Sequence, residues 1–74
     1  MITYEKFFKV LKDRELGQLK FCTDNNISTN ILHRMRQNDN IETFTLNRLL
    51  NILELNSLDD ICTYTPDQED DIKE

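Results

Sequence analysis

Residues 23–36 read TDNNISTNILHRMR, a segment crowded with hydrogen-bonding side chains (Asn25, Asn26, Asn30, His33, Arg34, Arg36) whose apolar residues still recur at helical spacing. After glycine, asparagine best tolerates the left-handed backbone that ends a helix, so Asn25 and Asn26 predict a turn. Ile27 is then expected to pack inward, and Ser28 to cap a new helix by accepting a first-turn backbone N–H. Turning by 100° per residue from Thr29, the polar residues Thr29, His33, Gln37, Asn30 and Arg34 fall at roughly 0° to 140°. Ile31, Met35 and Leu32 fall at roughly 200° to 300°. The spacing predicts a short helix from Thr29 with one apolar and one polar face.

Working outward, QLKFCTDN before the turn places Phe21 and Cys22 inward with Leu19 nearby, a second short helix. Gly17 punctuates the chain ahead of it. Residues 3–15, TYEKFFKVLKDRE, set Tyr4, Phe7, Phe8 and Leu11 at the i, i+3, i+4, i+7 spacing of one face, which predicts a first amphipathic helix starting near Thr3. Downstream, QNDN at 37–40 is a loop by composition. Leu46, Leu49, Leu50 and Leu53 then form the strongest apolar stripe in the chain, while Phe44, Ile52 and Leu55 make a weaker one on another side. A helix apolar on two sides needs two coverings. The preceding helices supply one, and a fifth helix beginning at Ser57, where SLDDIC offers Leu58, Ile61 and Cys62, is expected to supply the other. Pro66 should end regular structure, leaving DQEDDIKE as a solvated, disordered tail.

The expected architecture is thus all-α, a compact five-helix domain over residues 1–66 followed by an acidic tail at 67–74. Seventy-four residues close one modest core and leave no room for a cleft between lobes, which argues against an elaborate enzyme. No apolar run approaches a membrane span and MITYEKFFKV lacks the pattern of a signal peptide, so a cytoplasmic protein is expected. Cys22 and Cys62 are expected to be reduced thiols, and with His33 they offer no CxxC or HxxxH spacing, so no metal or cofactor is expected.

The formal net charge of −5 is an awkward sign for a nucleic-acid binder, but its distribution matters more than its total. From Asp59 to Glu74 there are seven acids and one lysine, a balance of −6. Residues 1–58 carry eight bases and seven acids, a balance of +1, and the segment 16–38 holds Lys20, Arg34 and Arg36 against Asp24 alone. The acidity belongs to the tail.

A short helix, a tight turn and a second helix with a polar outer face is the helix-turn-helix plan. With Gln18, Phe21, Cys22, Asn26, Ile27, Ser28, Leu32 and Met35 in place, the chain resembles the small Cro/CI-type (XRE-type) helix-turn-helix regulators of phages and mobile elements over residues 4 to 65. That family's motif runs roughly Q-x-x-L-A-x-x-x-G-I-S, followed by a buried aliphatic pair four and seven residues past the serine. Departures are Phe21 for leucine, Cys22 for alanine, Asn26 for the turn glycine, Arg36 where an acid is common and Asn38 where a glycine is common. The resemblance implies a lambda-repressor-like domain that binds double-stranded DNA, commonly as a homodimer.

By the same resemblance, the DNA-binding surface would comprise Gln18, Lys20, Ser28, Thr29, Asn30, His33, Arg34, Arg36 and Asn38. Thr29, Asn30, His33 and Arg34 would meet base edges, Gln18 a phosphate, and Lys20 and Arg36 the backbone. The residue types suit this: asparagine pairs bidentately with adenine, arginine with guanine, and threonine offers a hydroxyl or a methyl. Against it stands the ordinary reading of such a face as the solvated side of an amphipathic helix. A rival function is an interaction module that kept the frame and lost DNA binding, such as an antirepressor or an inhibitor of a nucleic-acid enzyme, with the acidic tail meeting a basic protein partner. Self-association is expected through Phe44, Ile52, Leu55, Leu58 and Ile61.

Overall fold

A computed structural model describes residues 1–67 of the chain. The elements run β1 (Ile2–Thr3), α1 (Glu5–Asp13), α2 (Gln18–Asn25), α3 (Thr29–Arg36), α4 (Thr43–Leu53), a 3₁₀ turn (Leu58–Asp60) and β2 (Thr63–Tyr64). Among the described residues there are four α-helices, one fewer than the periodicity predicts. The SLDDIC segment winds only one 3₁₀ turn, capped by the Ser57 hydroxyl, which accepts the Asp59 N–H at 3.1 Å. The chain then extends instead of continuing the helix, because β2 pairs antiparallel with β1, Ile2 opposite Tyr64 and Thr3 opposite Thr63. That pairing also moves the start of the first helix from Thr3 to Glu5.

One core joins all these pieces. Tyr4, Phe7 and Leu11 from α1 and its cap, Phe21 and Cys22 from α2, Ile27 from the turn, and Leu32 and Met35 from α3 meet Leu46, Leu49 and Leu53 of α4. Ile41, ahead of α4, and Ile61, after the 3₁₀ turn, complete it. Ile61 is wholly buried in this core and unavailable to a partner chain. Ile52 and Leu55 are half-buried, while Phe44 and Leu58 remain 69% and 48% exposed. Leu19, near the inward Phe21 and Cys22 in the sequence, is 71% exposed.

Each of the four helices of the described residues is followed by a residue in the left-handed conformation, and none of these is glycine. Glu15, Asn26, Asn38 and Glu54 have φ of 57° or 58°. In each case the next residue's N–H reaches back to a carbonyl five positions earlier, as in Leu16 to Leu11 at 2.8 Å and Asp39 to Arg34 at 2.9 Å, which satisfies carbonyls that a helix end leaves open. Gly17, by contrast, sits at φ −66° as the residue preceding α2, a conformation any residue adopts. Glutamate at Glu15 and Glu54 carries the Cβ penalty that glycine escapes. Glu15→Gly and Glu54→Gly should each therefore stabilise the domain by about 0.5–1 kcal/mol, read as a higher melting temperature. An unchanged or lower melting point in both variants would show that the side chains contribute contacts worth as much as the strain.

Candidate nucleic-acid interface

Three hydrogen bonds fix the α2–turn–α3 unit. Asn26 closes α2 in the left-handed conformation and the Ile27 N–H returns to the Cys22 carbonyl at 2.8 Å, which buries Ile27. Ser28, in extended conformation, accepts the Asn30 N–H on its hydroxyl at 3.1 Å and starts α3, a capping contact worth about 1 kcal/mol. Arg48 of α4 donates to the Asn25 carbonyl at 3.0 Å, pinning the end of α2 to the scaffold helix.

With Leu32 and Met35 committed to the core, α3 turns Thr29, Asn30, His33 and Arg36 to solvent. Gln18 and Leu19 of α2, Cys22, Thr29, Leu32, His33 and Arg36 line one shallow cleft of about 170 Å³ between the two helices. The structure therefore brings together Gln18, Thr29, His33 and Arg36, and leaves Asn30 on the adjoining outer turn. Cys22 forms part of the floor of this cleft, and burial pushes its thiol above the usual range, so it serves as packing rather than as a nucleophile. Both cysteines are free, and among the described residues no three His, Cys, Asp or Glu side chains converge on a common point.

Residues 6–67 match the model of the Cro/C1-type HTH DNA-binding domain. The chain belongs to the Cro/C1-type helix-turn-helix DNA-binding family. The crystal structure of transcriptional regulator VanUg, Form II, superposes with a TM-score of 0.77 at 21% sequence identity, covering 89% of this chain and 87% of that one, a likeness of fold. No curated protein matches the chain. No helix of the described residues is long and apolar enough to cross a membrane.

Within this Cro/C1-type domain, several side chains expected on the DNA-binding surface have structural occupations. Arg34 is half-buried at the edge of the polar face, and its guanidinium donates to the Asn40 carbonyl, bracing the α3–α4 loop. Asn38 closes α3 in the left-handed conformation, and its side-chain oxygen accepts the Tyr4 N–H at 3.3 Å, serving the start of α1. Lys20 is fully outward with its ammonium 3.2 Å from Asp24, an exposed i,i+4 pair that contributes little to stability. Arg36 lies over the Phe8 ring, 4.7 Å from its centroid, and donates to the Gln18 side-chain oxygen. Ser28 acts as the helix cap described above.

Sequence reasoning missed Leu19 as a member of the surface. Its position on the α2 wheel, roughly 60° to 160° from Cys22 and Phe21, was the available signal. The exposed Leu19 lies beside Gln18 in the lining of the cleft.

Proposed function

We propose that this domain is a sequence-specific DNA-binding transcriptional regulator, acting in the cytoplasm, whose α3 enters the major groove. The observation that carries the reading is the Ser28-capped α3 in a Cro/C1-type frame, with Leu32 and Met35 held inward and Thr29, Asn30 and His33 turned out together. Thr29, Asn30 and His33 are the base readers, whereas Arg34, tied to the Asn40 carbonyl, is reassigned to holding the loop. Gln18 and the first turn of α2 meet a phosphate. Selection of bound duplexes from a random pool should enrich one motif, and failure to enrich any would overturn the reading.

One small module makes few contacts, so a homodimer on a pseudo-palindromic site is proposed as the active form. Of the residues expected to form the contact, Phe44 and Leu58 remain exposed to support it, with Ile61 in the core. Sedimentation at micromolar concentration that returned only monomer, with and without the selected duplex, would remove the dimer.

The rival interaction module draws support from the charge arrangement. Lys20 is paired with Asp24, and Arg34 and Arg36 are hydrogen-bonded within the chain, while Asp39 and Glu42 stand exposed beside the end of α3. Few cations are free to neutralise phosphates, so the salt dependence of binding should be shallow.

The acidic tail at 67–74 is proposed to restrain binding. Of it, Asp67 lies within the described residues, its carboxylate 3.0 Å from the Met1 ammonium at an exposed position, and the remainder lies outside them. Residues 67–74 carry five acids and one lysine, and their repulsion from DNA is weakly screened at low salt. Truncation after Pro66 should tighten binding at low ionic strength, with a diminishing effect as salt rises, and leave the melting temperature nearly unchanged because an exposed ion pair contributes little. Weaker binding or a lower melting point after truncation would make the tail a structural or partner-binding element.

A further inference from the structure

Arg36 departs from an ordinary surface arginine in two ways at once. Its guanidinium lies over the Phe8 ring of α1, 4.7 Å from the centroid, and from the last turn of α3 it reaches across to the Gln18 side chain at the first position of α2. From over the ring the guanidinium still donates through its N–H groups to Gln18, a combination the point charge of a lysine does not reproduce. Three elements, α1, α2 and α3, are therefore linked through one planar group.

The chemistry of that link is directional. A guanidinium carries donors and no acceptor, so the Gln18 atom it meets is the oxygen. The amide nitrogen, with its two N–H bonds, is left facing away, and among the described residues it donates to no acceptor. Ahead of Gln18, Gly17 provides no side-chain acceptor for the open N–H groups in the first turn of α2. An unconstrained glutamine amide presents an oxygen as readily as a nitrogen; this one is held with only donors outward. Such a surface suits an anion and rejects a hydrogen-bond donor.

We propose that Arg36 is a positioning residue: clamped on Phe8, it locks the Gln18 amide with its oxygen inward and its N–H groups presented to one backbone phosphate of the bound duplex. Arg36 thereby acts on DNA through Gln18 and not as a loose surface charge. The inference rests on the DNA-binding reading above and adds the device that orients the contact.

Two measurements on the full chain test it. In the free protein, the side-chain amide of Gln18 should be rigid by ¹⁵N relaxation, and should become mobile in Arg36→Lys, which keeps the charge and loses the planar fork. Equal mobility in the two proteins would overturn the clamp without reference to DNA. The second measurement uses the duplex recovered by selection, with single phosphates replaced in turn by neutral methylphosphonate. One replacement should weaken wild-type binding roughly five- to tenfold, and both Gln18→Ala and Arg36→Lys should lose that sensitivity. Gln18→Glu, which pairs with Arg36 and turns a carboxylate oxygen toward the phosphate, should bind more weakly than Gln18→Ala. If Arg36→Lys retained the full sensitivity, or the Gln18 and Arg36 effects multiplied independently, the proposal would fall while DNA binding stood. If wild type bound no duplex, the functional reading would fall and take the phosphate contact with it. Gln18 and Arg36 are outside the buried core, and unchanged melting curves will separate these losses from unfolding.

Discussion

Phe7→Ala should cost the domain roughly 3 to 5 kcal/mol, the largest effect expected of any single change considered. Phe7 is fully buried, and its ring meets Phe8 and Phe21 edge-on at centroid distances of 5.1 Å and 6.0 Å. It joins the first helix to the helix-turn-helix unit, so the truncation removes aromatic contacts on two sides and leaves a cavity that the short helices cannot collapse without shifting α2. A domain of this length has roughly 4 to 11 kcal/mol of stability in total. The variant should therefore melt far below the wild type or lack a cooperative transition at room temperature. A melting point within a few degrees of wild type would mean that the core is less interdependent than Phe7, Phe21, Met35 and Leu49 make it.

The second large effect is expected at the surface and leaves the fold alone. Asn30→Ala should lose about 1 to 3 kcal/mol of binding at one or two base pairs, with nonspecific affinity nearly intact. Asn30 is exposed on α3, and the structure engages its backbone N–H with the Ser28 cap while its side chain is free of any partner among the described residues. A free amide placed one residue into a capped helix can pair bidentately with the N6 and N7 positions of adenine. Binding assays on the selected duplex, on single-base variants of it and on random DNA check this. Equal losses on all of them would remove Asn30 as a reader.

The helix-turn-helix unit was legible because its signals are local. Asn26 and Ser28 each act within three residues of themselves, as left-handed stop and hydroxyl cap, and the separation of Leu32 and Met35 from Thr29, Asn30 and His33 follows from helical geometry. What escaped reading depends on distant partners. The strand pairing of Ile2 with Tyr64 and of Thr3 with Thr63 joins the two ends of the described chain, and no periodicity within SLDDIC signals it. Gly17 punctuates the sequence ahead of α2, but the left-handed residue after α1 is Glu15, at a position where local preference favours glycine.

The site shows the same division. Asn30 and His33 lie well inside the polar arc, so their exposure follows from the wheel, whereas Thr29 and Arg34 stand at its two edges. The destination of Arg34 was decided by the Asn40 carbonyl that the following loop presents. Asn38 is expected on the surface by the resemblance alone, yet its backbone conformation and the Tyr4 N–H claim it. Arg36 and Phe8 are far apart in sequence, and only the packing of α1 beside α3 brings the ring beneath the guanidinium.

The central claim, that the exposed face of α3 reads base edges in the major groove, is tested most directly by replacing single purines of the selected duplex with their 7-deaza analogues. That change deletes the N7 acceptor from the major-groove edge and leaves the minor groove and the backbone untouched. Substitution at one or two positions should weaken wild-type binding about as much as Asn30→Ala does, and the Asn30→Ala protein should be insensitive at one of them. Binding that ignored every 7-deaza substitution while responding to changes confined to the minor groove would contradict the account.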